Sequence, residues 1–201
     1  MGDRVNLFAF QELADPCAAL DAAEQVLRQM DLITGEPDSK SVLGAEGARA
    51  YRPGPAAATG YGDEIPSHSA NGVAFIGPRY FNGFGLGLAE WFFCPACGGR
   101  IGDDHAAFHD QMNALGMAAV RWAQGSDEPE MVGCPLCEVP SAVTNWTSDD
   151  PVFLADMCVE FWNWPMLAKP GCPDGCRWKI DVTGALERAV GAPVIISGHK
   201  I

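Results

Sequence analysis

Two short runs decide the reading of this chain: Cys94-Pro95-Ala96-Cys97-Gly98-Gly99-Arg100 and Cys134-Pro135-Leu136-Cys137, with thirty-six residues between Cys97 and Cys134. A Cys-Pro-X-Cys turn aims two thiolates at one point, and two such turns build a tetrahedral four-sulfur site that suits zinc. Gly98 and Gly99 let the backbone fold back tightly after the first pair, so that its N–H groups can face the sulfurs. The expected cofactor is one structural Zn2+ per chain, held by Cys94, Cys97, Cys134 and Cys137. Residues 94–137 are read as a zinc-ribbon-like module with a helix between its knuckles, inserted in a single α+β domain spanning 1–201. The expected sheet is mixed and covered by helices.

Working outward, Gly72–Ile76 reads as a strand, and a second, Phe84–Phe93, follows Asn82-Gly83. Phe84, Leu86 and Leu88 alternate with Gly85 and Gly87 and would face a core, and this strand delivers the chain into the first knuckle. Past that knuckle, Asp103-Asp104 suggest a cap for a helix over 105–123. Phe108, Met112, Leu115, Ala119 and Trp122 then fall on one apolar face, expected to pack on the main sheet. His105 and His109 are four apart, but His-Ala-Ala-Phe-His lacks the glutamate of a His-Glu-X-X-His frame, and no third ligand is identifiable. They read as exposed polar positions.

Toward the C-terminus, 139–151 is a loop carrying Trp146, and 152–164 is the strongest strand, ending in Trp162-Asn163-Trp164-Pro165. Asp181 caps a helix over 182–190, Gly191 ends it, and Pro193 follows before a closing strand over 193–199. The strand, helix, strand order predicts that 152–164 and 193–199 lie side by side and parallel. Toward the N-terminus, 4–10 is a short strand, and Asp15-Pro16 opens a helix over 16–31 with Leu20, Ala23, Leu27 and Met30 inward. Asp21 and Glu24 read as its solvated face. Residues 44–52 include an extended piece, whereas 53–71, with the surface residue His68, are too rich in Pro and Gly for regular structure.

The remaining cysteines divide. Cys17 and Cys158 sit in apolar patterns and read as inert buried thiols. Cys172-Pro-Asp-Gly-Cys176 is a tight turn with three open readings: part of a second metal site, a redox pair, or a plain loop. Apolar residues make up 48% and charged residues 19%, which excludes a disordered chain. No apolar run is long enough for a bilayer, and Met1-Gly2-Asp3-Arg4 lacks the features of a signal peptide. Cytoplasmic is the expected location, where thiols serve metals more often than disulfides. Thirteen Lys and Arg face twenty-six Asp and Glu, net −13, and four thiolates on one Zn2+ add a further −2. Phosphate recognition needs clustered cations, so this balance disfavours nucleic acid.

The ordering resembles a family of small uncharacterised bacterial proteins that pair two Cys-Pro-X-Cys turns with a later Phe-Trp-Asn-Trp-Pro segment. Cys94–Gly98, Cys134–Cys137, Phe161–Pro165 and the strand at 194–198 carry the resemblance. It implies the zinc and fold expectations and no particular activity. Glu138 stands where such turns usually have glycine, and the Cys172–Cys176 loop has no counterpart.

Three function classes compete. No Gly-X-Ser-X-Gly turn, phosphate loop or dinucleotide fingerprint is present, so no catalytic residue is assigned and the reading leans away from an enzyme. A nucleic-acid-associated zinc ribbon has the fold in its favour and the charge against it. The preferred reading is an acidic, zinc-stabilised module that binds another protein, for instance an inhibitor or immunity-type partner of a basic protein. Trp146, Trp162 and Trp164 are candidate anchors for such a partner.

Overall fold

The computed structural model describes residues 3–43, 49–57, 70–165, 178 and 180–200. The fold is α+β and divides into two compact units, Met1–Pro78 with Asp156–Ile201, and Arg79–Ala155. No described helix is long and apolar enough to cross a membrane.

The first unit is built on a six-stranded sheet. Its strands are β1 (Arg4–Phe10), β2 (Ile33–Thr34), β3 (Arg49–Pro53), β4 (Gly72–Ile76), β12 (Met157–Trp162) and β13 (Ile195–Lys200), and they lie in the order β13-β1-β12-β4-β3-β2. Every described pairing in the sheet is antiparallel, where a mixed sheet was expected. The parallel neighbours expected at 152–164 and 193–199 are also corrected. β12 and β13 run in the same direction, but β1 lies between them and pairs with both. The connection through a helix is as the sequence suggested; the gap it leaves is filled by the N-terminal strand, which no local signal could show.

Two helices cover one face. α1 (Pro16–Gln29) starts where Asp15 accepts a hydrogen bond from Ala18 N, with Pro16 in the first turn. The later helix (Val182–Val190) is capped by Asp181 and ended by Gly191 in the left-handed region at φ 76°. Leu20, Ala23 and Leu27 of α1 and Val182 and Leu186 of that helix meet Phe8, Phe10, Val73, Phe75, Met157, Val159 and Phe161 of the sheet in one core. Asp21 and Glu24 are not merely solvated. Glu24 is largely buried and holds Arg28 at 2.9 Å, Arg49 at 3.1 Å and the Tyr51 hydroxyl at 2.9 Å.

The second unit is a set of short ribbons around one helix. Its strands are β5 (Tyr80–Phe81), β6 (Trp91–Phe93), β7 (Arg100–Gly102), β8 (Met131–Gly133), β9 (Pro140–Ala142), β10 (Thr147–Ser148) and β11 (Leu154–Ala155). β6 pairs with β7 and β10, β8 with β9, and β5 with β11. The strand expected over 84–93 is corrected to a short helix, α2 (Gly83–Leu88), and only Trp91–Phe93 is extended. Asn82 decides this: its side chain accepts from Gly85 N at 2.9 Å while its amide donates to Val152 O at 2.7 Å. An N-cap of that kind outweighs an alternation that glycines leave weakly specified.

The central helix α3 begins at Phe108, not 105, and runs to Ala123. Asp103 and Asp104 lie in the turn before it, and Ala107 occupies the cap position without a side-chain bond. Phe108, Leu115, Ala118 and Ala119 are buried in the second unit's own core with Phe92, Ile101, Val132, Val143, Trp146 and Phe153. The face was expected to pack on the main sheet; among the described residues the cluster that buries it is built from the second unit itself. The helix of the first unit, Val182–Val190, is α4 in chain order.

Asn163 closes the first unit. It sits at φ 58°, where few residues other than glycine rest, and is only 7% exposed. Its side-chain oxygen accepts from Arg4 N at 3.0 Å, and its nitrogen donates to Ala70 O at 2.6 Å and Asp3 Oδ1 at 2.7 Å. Asn163→Asp should therefore cost about 3 kcal/mol, since it strips Ala70 O of a donor and sets a carboxylate against Asp3. Chemical denaturation checks this, and a loss below about 0.5 kcal/mol would show that the asparagine is a passive surface turn.

Candidate metal centre

The two knuckles are the turns of two hairpins: Cys94–Gly99 joins β6 to β7, and Cys134–Val139 joins β8 to β9. They repeat each other at a constant offset of forty residues. Gly98 N donates to Cys94 O at 2.8 Å, and Glu138 N donates to Cys134 O at 2.8 Å. Cys94 N closes on Gly99 O at 3.0 Å and Cys134 N on Val139 O at 3.3 Å. Both turns need a left-handed residue after the second cysteine, and they fill it differently. Gly98 has φ 67° and Glu138 has φ 61°.

This backbone path aims N–H groups at sulfur. Ala96 N donates to Cys94 Sγ and Leu136 N to Cys134 Sγ, each at 3.3 Å, and Gly99 N donates to Cys97 Sγ at 3.4 Å. At Cys137 the neighbouring Val139 N–H also favours the thiolate. The sequence named the ligands and, through the Gly98-Gly99 turn, the N–H groups that face sulfur after the first pair; the donors of Ala96 and Leu136 have no side-chain signal.

The four sulfurs all lie within 4.8 Å of one another, and Cys94 Sγ and Cys137 Sγ are 3.9 Å apart. Zn–S bonds of 2.3 Å in a tetrahedron put sulfurs ~3.8 Å apart. No disulfide joins any cysteine among the described residues. Cys94 and Cys134 are buried, Cys137 is half-buried and Cys97 is exposed. Two of the thiols are shifted in opposite directions. Burial pushes the Cys94 thiol up, but the Cys97 and Ala96 N–H groups and the Cys134 and Cys97 thiols outweigh it and bring it down to about 7. At Cys137 the Val139 N–H favours the thiolate. Burial and hydrogen bonding with Cys97, Cys134 and Cys94 prevail and push that thiol up to about 12. Four thiolates this close would repel one another, and a metal cation would offset that repulsion. Soft donors, tetrahedral spacing and bonded sulfurs together fit a metal ion.

The other candidate residues do not join this centre. Cys172, Cys176 and His68 lie outside the described residues. His105 stands in the turn before α3, where its Nδ1 accepts from Ala107 N at 3.1 Å. His109 is exposed with its ring against Phe108. The four-cysteine group is the one metal-ligating cluster among the described residues. Cys158 is buried as expected, but Cys17 is exposed, on the outer side of α1.

The tryptophans expected as partner anchors are core residues. Trp146, Trp162 and Trp164 are 3%, 2% and 0% exposed. Trp164 meets Phe161 and Trp178 at ring distances of 4.9 and 5.7 Å, and Trp162 Nε1 donates to the buried Glu160 at 2.7 Å. An aromatic-rich segment at the end of a central strand serves packing here, and its bulk is what the interior needed.

Compared with protein-family models, with curated proteins and with solved structures, the chain matches none.

The turn geometry makes a test of backbone strain. Glu138→Gly should stabilise the protein by about 1 kcal/mol, because a left-handed conformation penalises any Cβ. Gly98→Ala should destabilise by a similar amount, although a Cβ there would meet nothing within 4 Å. Denaturant midpoints of the metal-loaded protein read both, and equal signs for the two changes would contradict the shared turn.

Proposed function

We propose that this chain is a zinc-stabilised acidic module that binds a basic protein. The charge of the second unit carries the reading. Residues 79–155 hold ten acidic side chains against three arginines, net −7 before the thiolates are counted. Each arginine already has partners. Arg79 donates to Trp122 O at 3.0 Å and Ser126 O at 2.8 Å, Arg121 pairs with Glu130 at 2.7 Å, and Arg100 lies 4.6 Å over the Trp91 ring. A ribbon that grips phosphate needs several cations on one face, and this one has acids. The same field attracts a basic protein and speeds its encounter.

Zinc is the metal that four thiolates in a tetrahedron favour, and a site closed by four sulfurs contributes to folding and not to catalysis. Cys94, Cys97, Cys134 and Cys137 would each supply one ligand, and their backbone N–H bonds would hold the thiolates in place. Free thiols and a metal of this kind suit the cytoplasm. An inhibitor or immunity-type protein, masking a basic protein's working surface, is one concrete form of the module. We also keep the likeness to the small bacterial two-knuckle proteins as a proposal about ancestry.

Protein purified without added metal should contain about one zinc per chain, and Cys134→Ser should lose metal and folded structure together. Labelled single- and double-stranded nucleic acid at low salt should show no saturable binding. Micromolar or tighter binding would hand the function to the nucleic-acid alternative.

A further inference from the structure

The two knuckles share a backbone but not their outer side chains. At the position after each proline the first carries Ala96 and the second Leu136; at the fifth position after each leading cysteine the first carries Gly99 and the second Val139. The larger pair is exposed, Leu136 by 43% and Val139 by 46%. Leu136 also reaches across to the first knuckle: a Cβ on Gly99 would come within 2.6 Å of its Cδ1. Apolar side chains are therefore exposed on both turns, Pro95, Ala96 and Pro135 among them, and Leu136 bridges the two. Single exposed apolar side chains need no explanation, but a contiguous cluster on one rigid turn pair does.

Charge says what kind of surface would cover it. Glu138 is exposed between Leu136 and Val139, and Cys97 is the exposed thiol of the centre beside them. The unit that carries this tip has net −7; Arg79 and Arg121 are bonded to Trp122 O, Ser126 O and Glu130, and Arg100, next to Gly99, lies over the Trp91 ring. An apolar tip that carries Glu138 and a sulfur acceptor, on a unit of net −7, complements side chains that alternate cation with hydrocarbon. Turns fixed by a four-sulfur centre lose little freedom on binding, which favours affinity from a small area.

We infer that the knuckle tip, Leu136 and Val139 beside Cys97, docks a basic segment of a partner protein that carries apolar side chains between its Lys and Arg residues. This rests on the protein-binding reading above and adds the surface and the pattern it selects.

The test uses the intact, metal-loaded chain and three synthetic peptides of equal length: alternating Lys and Leu, Lys and Ser, and Glu and Leu. Fluorescence anisotropy at low ionic strength should show the Lys/Leu peptide binding at least about tenfold tighter than Lys/Ser, with no binding of Glu/Leu. Leu136→Ser and Val139→Ser should each weaken Lys/Leu binding by about fivefold or more at unchanged zinc content. Val139→Ser serves if Leu136→Ser loses metal. Met117→Ser, which removes a side chain 61% exposed on α3, should change nothing. Equal binding of the two lysine peptides, or full binding by the tip variants, would overturn the docking surface and leave the acidic module standing. If neither lysine peptide binds, the acidic module falls as well.

Discussion

The second unit depends on four sulfurs being held together. Its knuckle hairpins, β6–β7 and β8–β9, have strands of only three residues, far short of what a hairpin needs to stand alone in water. α3 gives them a common surface through Phe108, Leu115 and Ala119, and the cysteine cluster fixes the two turns to each other. The constraint is electrostatic as well as geometric. Four thiolates within 4.8 Å of one another would repel, a metal cation would offset that, and the backbone N–H bonds to sulfur favour thiolate.

What was legible in the sequence was mostly local. The paired Cys-Pro-X-Cys turns, the Asp15-Pro16 start of α1, and the Asp181 and Gly191 ends of α4 stand where single-residue chemistry put them. The errors came where partners distant in sequence decide. β1 enters between β12 and β13, and nothing near any of the three strands announces it. The glycine-rich run after Asn82 fits a strand by alternation and a helix by its cap, and the long-range bond from Asn82 to Val152 O settled it as helix. Trp146, Trp162 and Trp164 are anchor candidates in the sequence only on condition of exposure, since an aromatic cluster looks alike in a core and at an interface, and their burial places them in the core. Glu138 was visible as a departure from glycine, but its left-handed backbone shows that the departure is tolerated and not a change of turn.

The proposed function rests on charge. On that proposal a metal closed by four sulfurs would leave no position for substrate, and a unit at net −7 would draw a basic protein more readily than phosphate. The knuckle tip, where Leu136 and Val139 are exposed beside Glu138, would be the docking surface. The first unit has the larger apolar core, and the second a smaller one beside the cysteine cluster.

The central claim is that Cys94, Cys97, Cys134 and Cys137 surround one metal completely. X-ray absorption at the zinc edge of the purified protein tests it most directly. The account predicts a single shell of four sulfurs at about 2.3 Å with no nitrogen or oxygen. A shell of three sulfurs and one oxygen would mean an open coordination position, and would contradict both the closed site and the non-catalytic role built on it.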